Sequence, residues 1–595
     1  PPATRVVLSH NGSGGIPFRW ASLPSTAPAT LRTLLNSTDS RGSDRVDYLR
    51  GVRTGEGADA STFRQRSTAL GDIVNSNVWY LGAPQTGSKL GGYGAFVTAN
   101  VSRKPMIYVG ANDGMLHGFS AAPAGTGSDA GQELMAYVPL GAYPNLTNYT
   151  KQNYTHHYSV DGSPFSGDVK LGSTSWKTYL AGFMGAGGRG YFILDVTSPG
   201  NFSESNASTL VVLDNTDETV AHADVGNLLP QPSKDPAYDS RAVQFTMMND
   251  NRPALILGNG VNSPNERPVL LIQYLDGAKE LVRLVASSTT GQGNGLMNPQ
   301  IIDLNGDGKA DLVYAGDLLG NLWRFDVSSS NATTWNVSFN SNPLFSAKDS
   351  GGSFQPIVAA PVWLPHPKGG LMLGVSTGRT LSSGDRTDTS EQSIYGIWDK
   401  SKLTISNGSV TIENDATKRI TDGRTSLVQE VMGTSTVATY AGKSFYDYTP
   451  TKVNYETTGT NPNRRGWYMN FTDSGERGSS NPYWFSGNYV VVPSNIPASG
   501  TDTNTETCSA TSKAEVGFLT IVDLISGSGP KKPVFDTNGG GMTGNEVKAS
   551  KIKGLGDSVT FSIGNKLVAF DGKTKDGTSM DPGIDGGVTT GWRER

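Results

Sequence analysis

The chain of 595 residues has one cysteine, Cys508, so no disulfide can close within it. A lone thiol fits either redox compartment and decides nothing about location. No run of about 18 apolar residues occurs, so no transmembrane helix is predicted. Charge is scarce as well: Asp, Glu, Lys and Arg make up 17% of the chain, the net charge is −4, and both signs are scattered. No basic face therefore recommends nucleic acid as a partner. Helical periodicity is nearly missing, and a glycine content of 74 residues argues against helical bundles, where glycine is costly. No Arg-Gly-Asp tripeptide is present, so an integrin-type contact by that route is excluded. The chain opens Pro1-Pro2 without a methionine or a signal-like segment, and we expect a processed or excised portion of something longer.

What is there is a succession of strand–turn–strand units. KPMIYVGANDGMLHGFSA (104–121), TYLAGFMGAGGRGYFILDV (178–196), DLVYAGDLLGNLWRFDV (311–327) and GFLTIVDLISG (517–527) share one theme. Each has an apolar run of four to six residues, a glycine-containing corner, and a second apolar or aromatic run. Asn112-Asp113-Gly114 and Gly320-Asn321 are expected to supply the positive φ values of tight hairpins. Loosely recurring four-stranded units over most of the chain predict an all-β fold, a β-propeller, irregular and quinoprotein-like, with seven blades suggested by length. An array of β-sandwiches is the alternative. Residues 1–70 differ: a Ser/Thr/Pro/Gly stretch, a short helix-like segment at Leu31–Leu35 and the charged run RVDYLRGVR read as an N-terminal connecting arm. Residues 71–595 are assigned to the propeller. Asn-x-Ser/Thr sequons, for example at Asn36, Asn145 and Asn470, arise easily in such a composition and carry little weight.

The stretch DLNGDGKAD (303–311) is different in kind. Calcium takes six to eight oxygen ligands, and a tight loop turns alternate residues toward one centre. Asp303, Asn305 and Asp307 hold the first, third and fifth places, the Lys309 carbonyl the seventh, and Asp311 the ninth. Gly308 at the sixth place permits the sharp turn. An EF-hand needs a Glu at the twelfth place, where this chain has Tyr314 at the start of a strand-like run. The loop is therefore expected to be an EF-hand-like calcium site carried on a β-hairpin. A turn without an ion is the plainer reading. It has to explain three carboxylates that would repel one another on a common centre. Magnesium suits the pattern less well, since it prefers fewer protein ligands and more water. With this charge count, a calcium dissociation constant on the order of micromolar is expected.

Other motifs fail on context. GAGGRG (185–190) matches the dinucleotide fingerprint, but YFILDV follows where a helix is required. GVSTG (374–378) matches the nucleophile elbow around Ser376, again without a following helix. His156 and His157 are adjacent and would face opposite ways on a strand, and His117 follows a strand that looks packed. All three read as structural or surface residues. Trp323, Trp398, Trp467 and Trp484 are expected to pack between blades. No catalytic constellation emerges.

Several long blocks, in order, resemble the PilC/PilY1 family of type IV pilus proteins. They are LGDIVNSNVWYLGAP (70–84), MIYVGANDGMLHGFSA (106–121), FMGAGGRGYFILDVTSPG (183–200), DLNGDGKADLVYAGDLLGNLWRFDV (303–327), STGR (376–379), QSIYGIWDK (392–400) and GWRER (591–595). The resemblance covers most of the chain from about residue 45 onward. It implies the C-terminal β-propeller of a secreted, pilus-tip adhesin that supports pilus assembly, opposes retraction and serves attachment and twitching motility. It also implies a Ca2+ site at Asp303, Asn305, Asp307, Lys309 and Asp311. Minor pilins of the tip complex and a host or abiotic surface are the implied partners, and the outer cell surface is the implied location, reached through the periplasm. The family's von Willebrand-A-like N-terminal region is not evident in this sequence, and Val52 stands where the family usually has Asp. A non-enzymatic role follows. Two other readings are a quinoprotein-like dehydrogenase, whose vicinal disulfide one cysteine cannot form, and a glycan-binding surface propeller.

Overall fold

The computed structural model describes residues 2–570 except 27–29, 60, 86, 124, 126–128, 218–221, 236–237, 479, 499–514, 536, 538–545, 556–558 and 564–565. Cys508 and the terminal GWRER lie outside the described residues. The chain divides into two compact units. One holds the residues up to Leu296 with the short pieces Asp307–Ala310 and Ser330–Ala332. The other holds Met297–Gly306, Asp311–Ser329 and the chain from Thr333 onward.

The first unit is built on three main sheets. Its six-stranded sheet runs, in spatial order, Gly15–Pro17, Val7–His10, Glu133–Val138, Leu116–Ser120, Met106–Gly110 and Trp79–Leu81. The next is an antiparallel meander of Phe165–Leu171, Ser175–Phe183, Tyr191–Asp195 and Val211–Asp214. The third joins Phe245–Met247, Pro253–Gly258, Val269–Tyr274 and Leu281–Val285 in the same up-and-down way. Central strands such as Pro253–Gly258 and Val269–Tyr274 are buried along their whole length. Covered on both faces, they read as continuous apolar runs rather than as alternation. Residues such as Tyr137, Phe165 and Phe192, all fully buried, fill this core and contribute about 1.5–3 kcal/mol each on burial.

The N-terminal 70 residues do more than connect. Val7–His10 pairs in parallel with Glu133–Val138, with Val7 opposite Ala136 and Ser9 opposite Val138. The helices Leu31–Asn36 and Gly42–Leu49 bury Leu31, Leu35, Val46, Tyr48 and Leu49 in the same core as the sheets. Arg50, 2% exposed, donates to the carbonyls of Phe18 and Arg5 and to Glu204.

In the second unit Leu312–Asp317 and Asn321–Asp326 form a hairpin within a five-stranded sheet that includes Leu296–Ile302. Another five-stranded sheet orders Val362–Pro365, Leu371–Ser376, Ser393–Asp399, Gly466–Asn470 and, in parallel at the edge, Val428–Glu430. A six-stranded sheet runs Ala438–Tyr440, Lys443–Tyr446, Lys551–Leu555, Val516–Asp523, Tyr489–Ile496 and Tyr483–Ser486. Six sheets of four to six strands thus lie among the described residues, where length suggested seven blades. Arg324, fully buried, donates to Asp399 at 2.8 Å, and the Tyr314 hydroxyl donates to the same carboxylate at 2.8 Å, so strands from two sheets share one charge pair.

At the two hairpin corners singled out in the sequence the positive φ falls on glycine alone: +97° at Gly114 and +74° at Gly320, with Asn321 already in the strand. Gly185–Gly187 is a single 3-10 turn leading into the strand Tyr191–Asp195, so it has no helix to face a pyrophosphate. Ser376 is buried at the end of its strand, and its hydroxyl donates to the Gly478 carbonyl at 3.4 Å. Trp323, Trp398 and Trp467 are buried, whereas Trp484, expected like them to pack between blades, is 41% exposed.

Candidate functional site

The loop 303–311 links the strands Leu296–Ile302 and Leu312–Asp317, so it sits on a hairpin of the sheet. Its backbone is shaped by two glycines, Gly306 at φ +73° and Gly308 at φ +89°. A Cβ on Gly308 would also come within 3.1 Å of Leu90, so both conformation and space favour glycine there. The loop folds onto itself through its carboxylates. Gly306 N–H donates to Asp303 Oδ1 at 2.7 Å, Lys309 N–H to Asp307 Oδ1 at 3.0 Å, and Leu304 N–H to Asp311 Oδ2 at 2.8 Å. Asp311 is fully buried, and its own N–H donates to the Ile302 carbonyl. Asn305 donates through Nδ2 to the Gly408 carbonyl at 2.7 Å, and Lys309 Nζ lies 3.8 Å from Asp307. Tyr314, at the twelfth place, is committed to Asp399 in the core and points away from any ligand role.

These residues fit calcium in kind. Every candidate donor is oxygen: three carboxylates, an amide and a carbonyl. A carboxylate has about four lone-pair sites, so one N–H bond orients it without exhausting it. Among the described residues, no three His, Cys, Asp or Glu side chains are grouped so as to hold a metal ion. The three aspartates are therefore positioned by the loop but not gathered into a preformed ligand triad.

A second polar concentration lies around the hairpin turn Asn112-Asp113-Gly114. His117 is fully buried between two carboxylates, Nε2 donating to Asp113 Oδ1 at 3.1 Å and Nδ1 to Glu133 Oε1 at 2.7 Å. Arg5 donates to Glu133 Oε1 at 2.8 Å, and Gly71 N–H to Asp113 Oδ2 at 3.0 Å. Burial alone would strip the imidazole of its proton. Asp113 and then Glu133 override it and raise the pKa to about 9, so His117 is an imidazolium at neutral pH. Burial pushes Glu133 up in turn, but Arg5 and His117 bring it down to about 2. His117 is thus structural, as the sequence suggested, although it is charged rather than apolar in function.

Beside this network a shallow cleft opens against the helix Tyr143–Tyr149 and the segment 154–159. Tyr154, His156 and Tyr158 alternate along that segment. His156 stands 6.5 Å from the Tyr154 ring and 5.1 Å from Tyr158, near-perpendicular to both. His156 Nε2 pairs with Asp72 at 2.8 Å, and Asn112 Nδ2 donates to the same carboxylate at 2.9 Å. Residue-by-residue reading of the sequence missed this cleft. The signal available was the alternation of aromatics in YTHHY, which only the helix from 143 turns into a recess.

The family model for the PilY1 β-propeller domain matches residues 70–442. The chain belongs to the PilY1 β-propeller family. The type IV pilus biogenesis factor PilY1 of Pseudomonas aeruginosa strain PAK is 34% identical over 506 residues, covering 79% of this chain and 40% of that protein. A PilY1 homolog of Xylella fastidiosa is 32% identical over 580 residues, covering 93% of this chain and 41% of the relative. The chain thus spans about two fifths of the length of these relatives. The crystal structure of the Pseudomonas aeruginosa PilY1 C-terminal domain superposes with a TM-score of 0.64 at 27% identity, covering 84% of this chain and 99% of that one. Both the loop 303–311 and the cleft fall inside the PilY1 match. Among the described residues no helix is long and apolar enough to cross a membrane.

Proposed function

We propose that this chain is the propeller region of a type IV pilus tip-associated adhesin and biogenesis factor whose calcium loop governs its action. The observation that carries the reading is PilY1 family membership, supported by relatives that bear the name type IV pilus biogenesis factor. The protein acts at the outer cell surface with minor pilins of the tip complex, supports pilus assembly, opposes retraction, and serves surface attachment and twitching motility. Asp303, Asn305, Asp307, the Lys309 carbonyl and Asp311 hold Ca2+. The ion supplies the positive charge that lets three carboxylates share one centre. The chain's own part is to hold the loop open to it: Gly306 and Gly308 set the turn, and the N–H groups of Leu304, Gly306 and Lys309 orient the aspartates.

The test is calorimetric calcium titration of the purified chain, with pull-down of minor pilins, followed by the same substitutions in the full-length protein in cells. Asp303→Ala with Asp311→Ala is expected to abolish calcium binding and to change piliation and twitching. Because Asp311 is buried, Asp303→Asn with Asp307→Asn serves as a second variant that keeps shape and removes charge. Calcium binding lost with piliation and twitching unchanged would sink the regulatory part of the reading.

A further inference from the structure

We propose that the shallow cleft beside Asn112-Asp113-Gly114 binds a neutral, polyhydroxylated ligand, a terminal pyranose of a surface glycan. Tyr149 is 7% exposed and lines the cleft, and among the described residues its hydroxyl has no hydrogen-bond partner. The hydroxyl is not among the enclosed polar atoms left without a partner, so it reaches the cleft, where a ligand hydroxyl can replace water beside it. Asn145, four residues earlier on the same helix, lies on the same face and lines the same recess. Its half-buried amide brings two donors and an acceptor oxygen. Across the cleft, Tyr158 presents a ring that is 40% exposed, next to the imidazole of His157. An exposed ring of this kind is covered by the apolar C–H face of a sugar, while hydroxyls at its edge reach the polar groups.

Charge decides between ligand classes. The Arg64 guanidinium already sits 4.8 Å from the Tyr149 ring centre and 4.3 Å from that of Tyr154. Two of the three tyrosines that would cage a ligand cation therefore already face a guanidinium, and Tyr158 alone makes no cage. Asp113 borders the cleft as a carboxylate committed to His117 and Gly71, which disfavours an anion. A neutral ligand with many hydroxyls is what the remaining groups match. The recess is shallow and open, unlike the enclosing pockets of cofactors, so it takes the end of a chain rather than a whole molecule.

This names a ligand class for the adhesive part of the function proposed above, rests on that part, and involves no residue of the calcium loop. The experiment is a glycan array probed with the full chain in calcium and again in EDTA. Saturation-transfer NMR then follows with the methyl glycoside of the strongest neutral hit. Binding is expected in both buffers, with a dissociation constant on the order of millimolar for a single sugar. Tyr158→Ala and Asn145→Ala, both at positions that carry little of the fold, are each expected to weaken it about tenfold or more. Trp484→Ala, an exposed aromatic in the second unit, is expected to leave it unchanged. The proposal is overturned if no neutral glycan binds above background or if both cleft variants bind like the parent. It is also overturned if tetramethylammonium displaces the glycoside. Asp303→Ala with Asp311→Ala should leave glycan binding intact, so the failure of one reading does not imitate failure of the other.

Discussion

The loop 303–311 and the network around His117 both concentrate carboxylates, and they handle the charge in opposite ways. At His117 the protein brings its own cations, an imidazolium and Arg5, and seals the group in the core. In the loop, Asp303, Asp307 and Asp311 accept backbone N–H groups, and Asp303 and Asp307 stay half-buried. A buried ion pair is permanent, because removing either partner leaves an uncompensated charge in low dielectric. Carboxylates turned by backbone dipoles and left half-buried, as Asp303 and Asp307 are, stay within reach of an ion in solution. The difference separates a structural clamp from the loop proposed to take calcium.

The largest test of that contrast removes the clamp. His117→Ala leaves the buried Asp113 and the half-buried Glu133 without their shared cation and is expected to cost about 3–5 kcal/mol in chemical denaturation. The clamp also has a pH signature. Its folded pKa, about 9, lies above the ordinary histidine value, so its stabilisation is complete below about 6.5 and lost as pH rises through 9. The parent should lose about 3 kcal/mol between pH 6 and pH 10 relative to His117→Ala, and equal pH profiles for the two would refute the imidazolium. The loop should behave conversely. At a hundredfold excess over its dissociation constant, calcium should add about 2.7 kcal/mol to the parent and nothing to Asp303→Ala with Asp311→Ala. A calcium-independent denaturation midpoint in the parent would count against the site. The smallest effect is conformational: Gly308→Ala forces a Cβ into the left-handed region, costing about 1–2 kcal/mol and weakening calcium uptake in the same titration.

What could be read from the sequence was local. Glycine corners announced the hairpins at Gly114 and Gly320, and the spacing of DLNGDGKAD with Gly308 announced its turn, because each depends on a few neighbouring residues. Tyr314 at the twelfth place ruled out an EF-hand, and it is indeed a core strand residue. What escaped was long-range. Nothing near Val7 says that it will lie beside Ala136, and an apparent arm became part of a sheet. His117 in MLHGFS looks packed, and it is, but the two carboxylates that charge it come from a turn and from another strand. The cleft needed the helix Tyr143–Tyr149, the segment 154–159 and the turn at 112–114 together.

The parallel seat of Val7–His10 has a practical consequence for anyone trimming this chain. The family match begins at residue 70, which invites a cut there. Such a cut would strip the N-terminal strands from Glu133–Val138 and leave its N–H and C=O groups as an open sheet edge. A bare, apolar edge of this kind recruits strands from other molecules, so the shortened protein is expected to aggregate. The strand Val7–His10 is, in that sense, the protein's guard against itself.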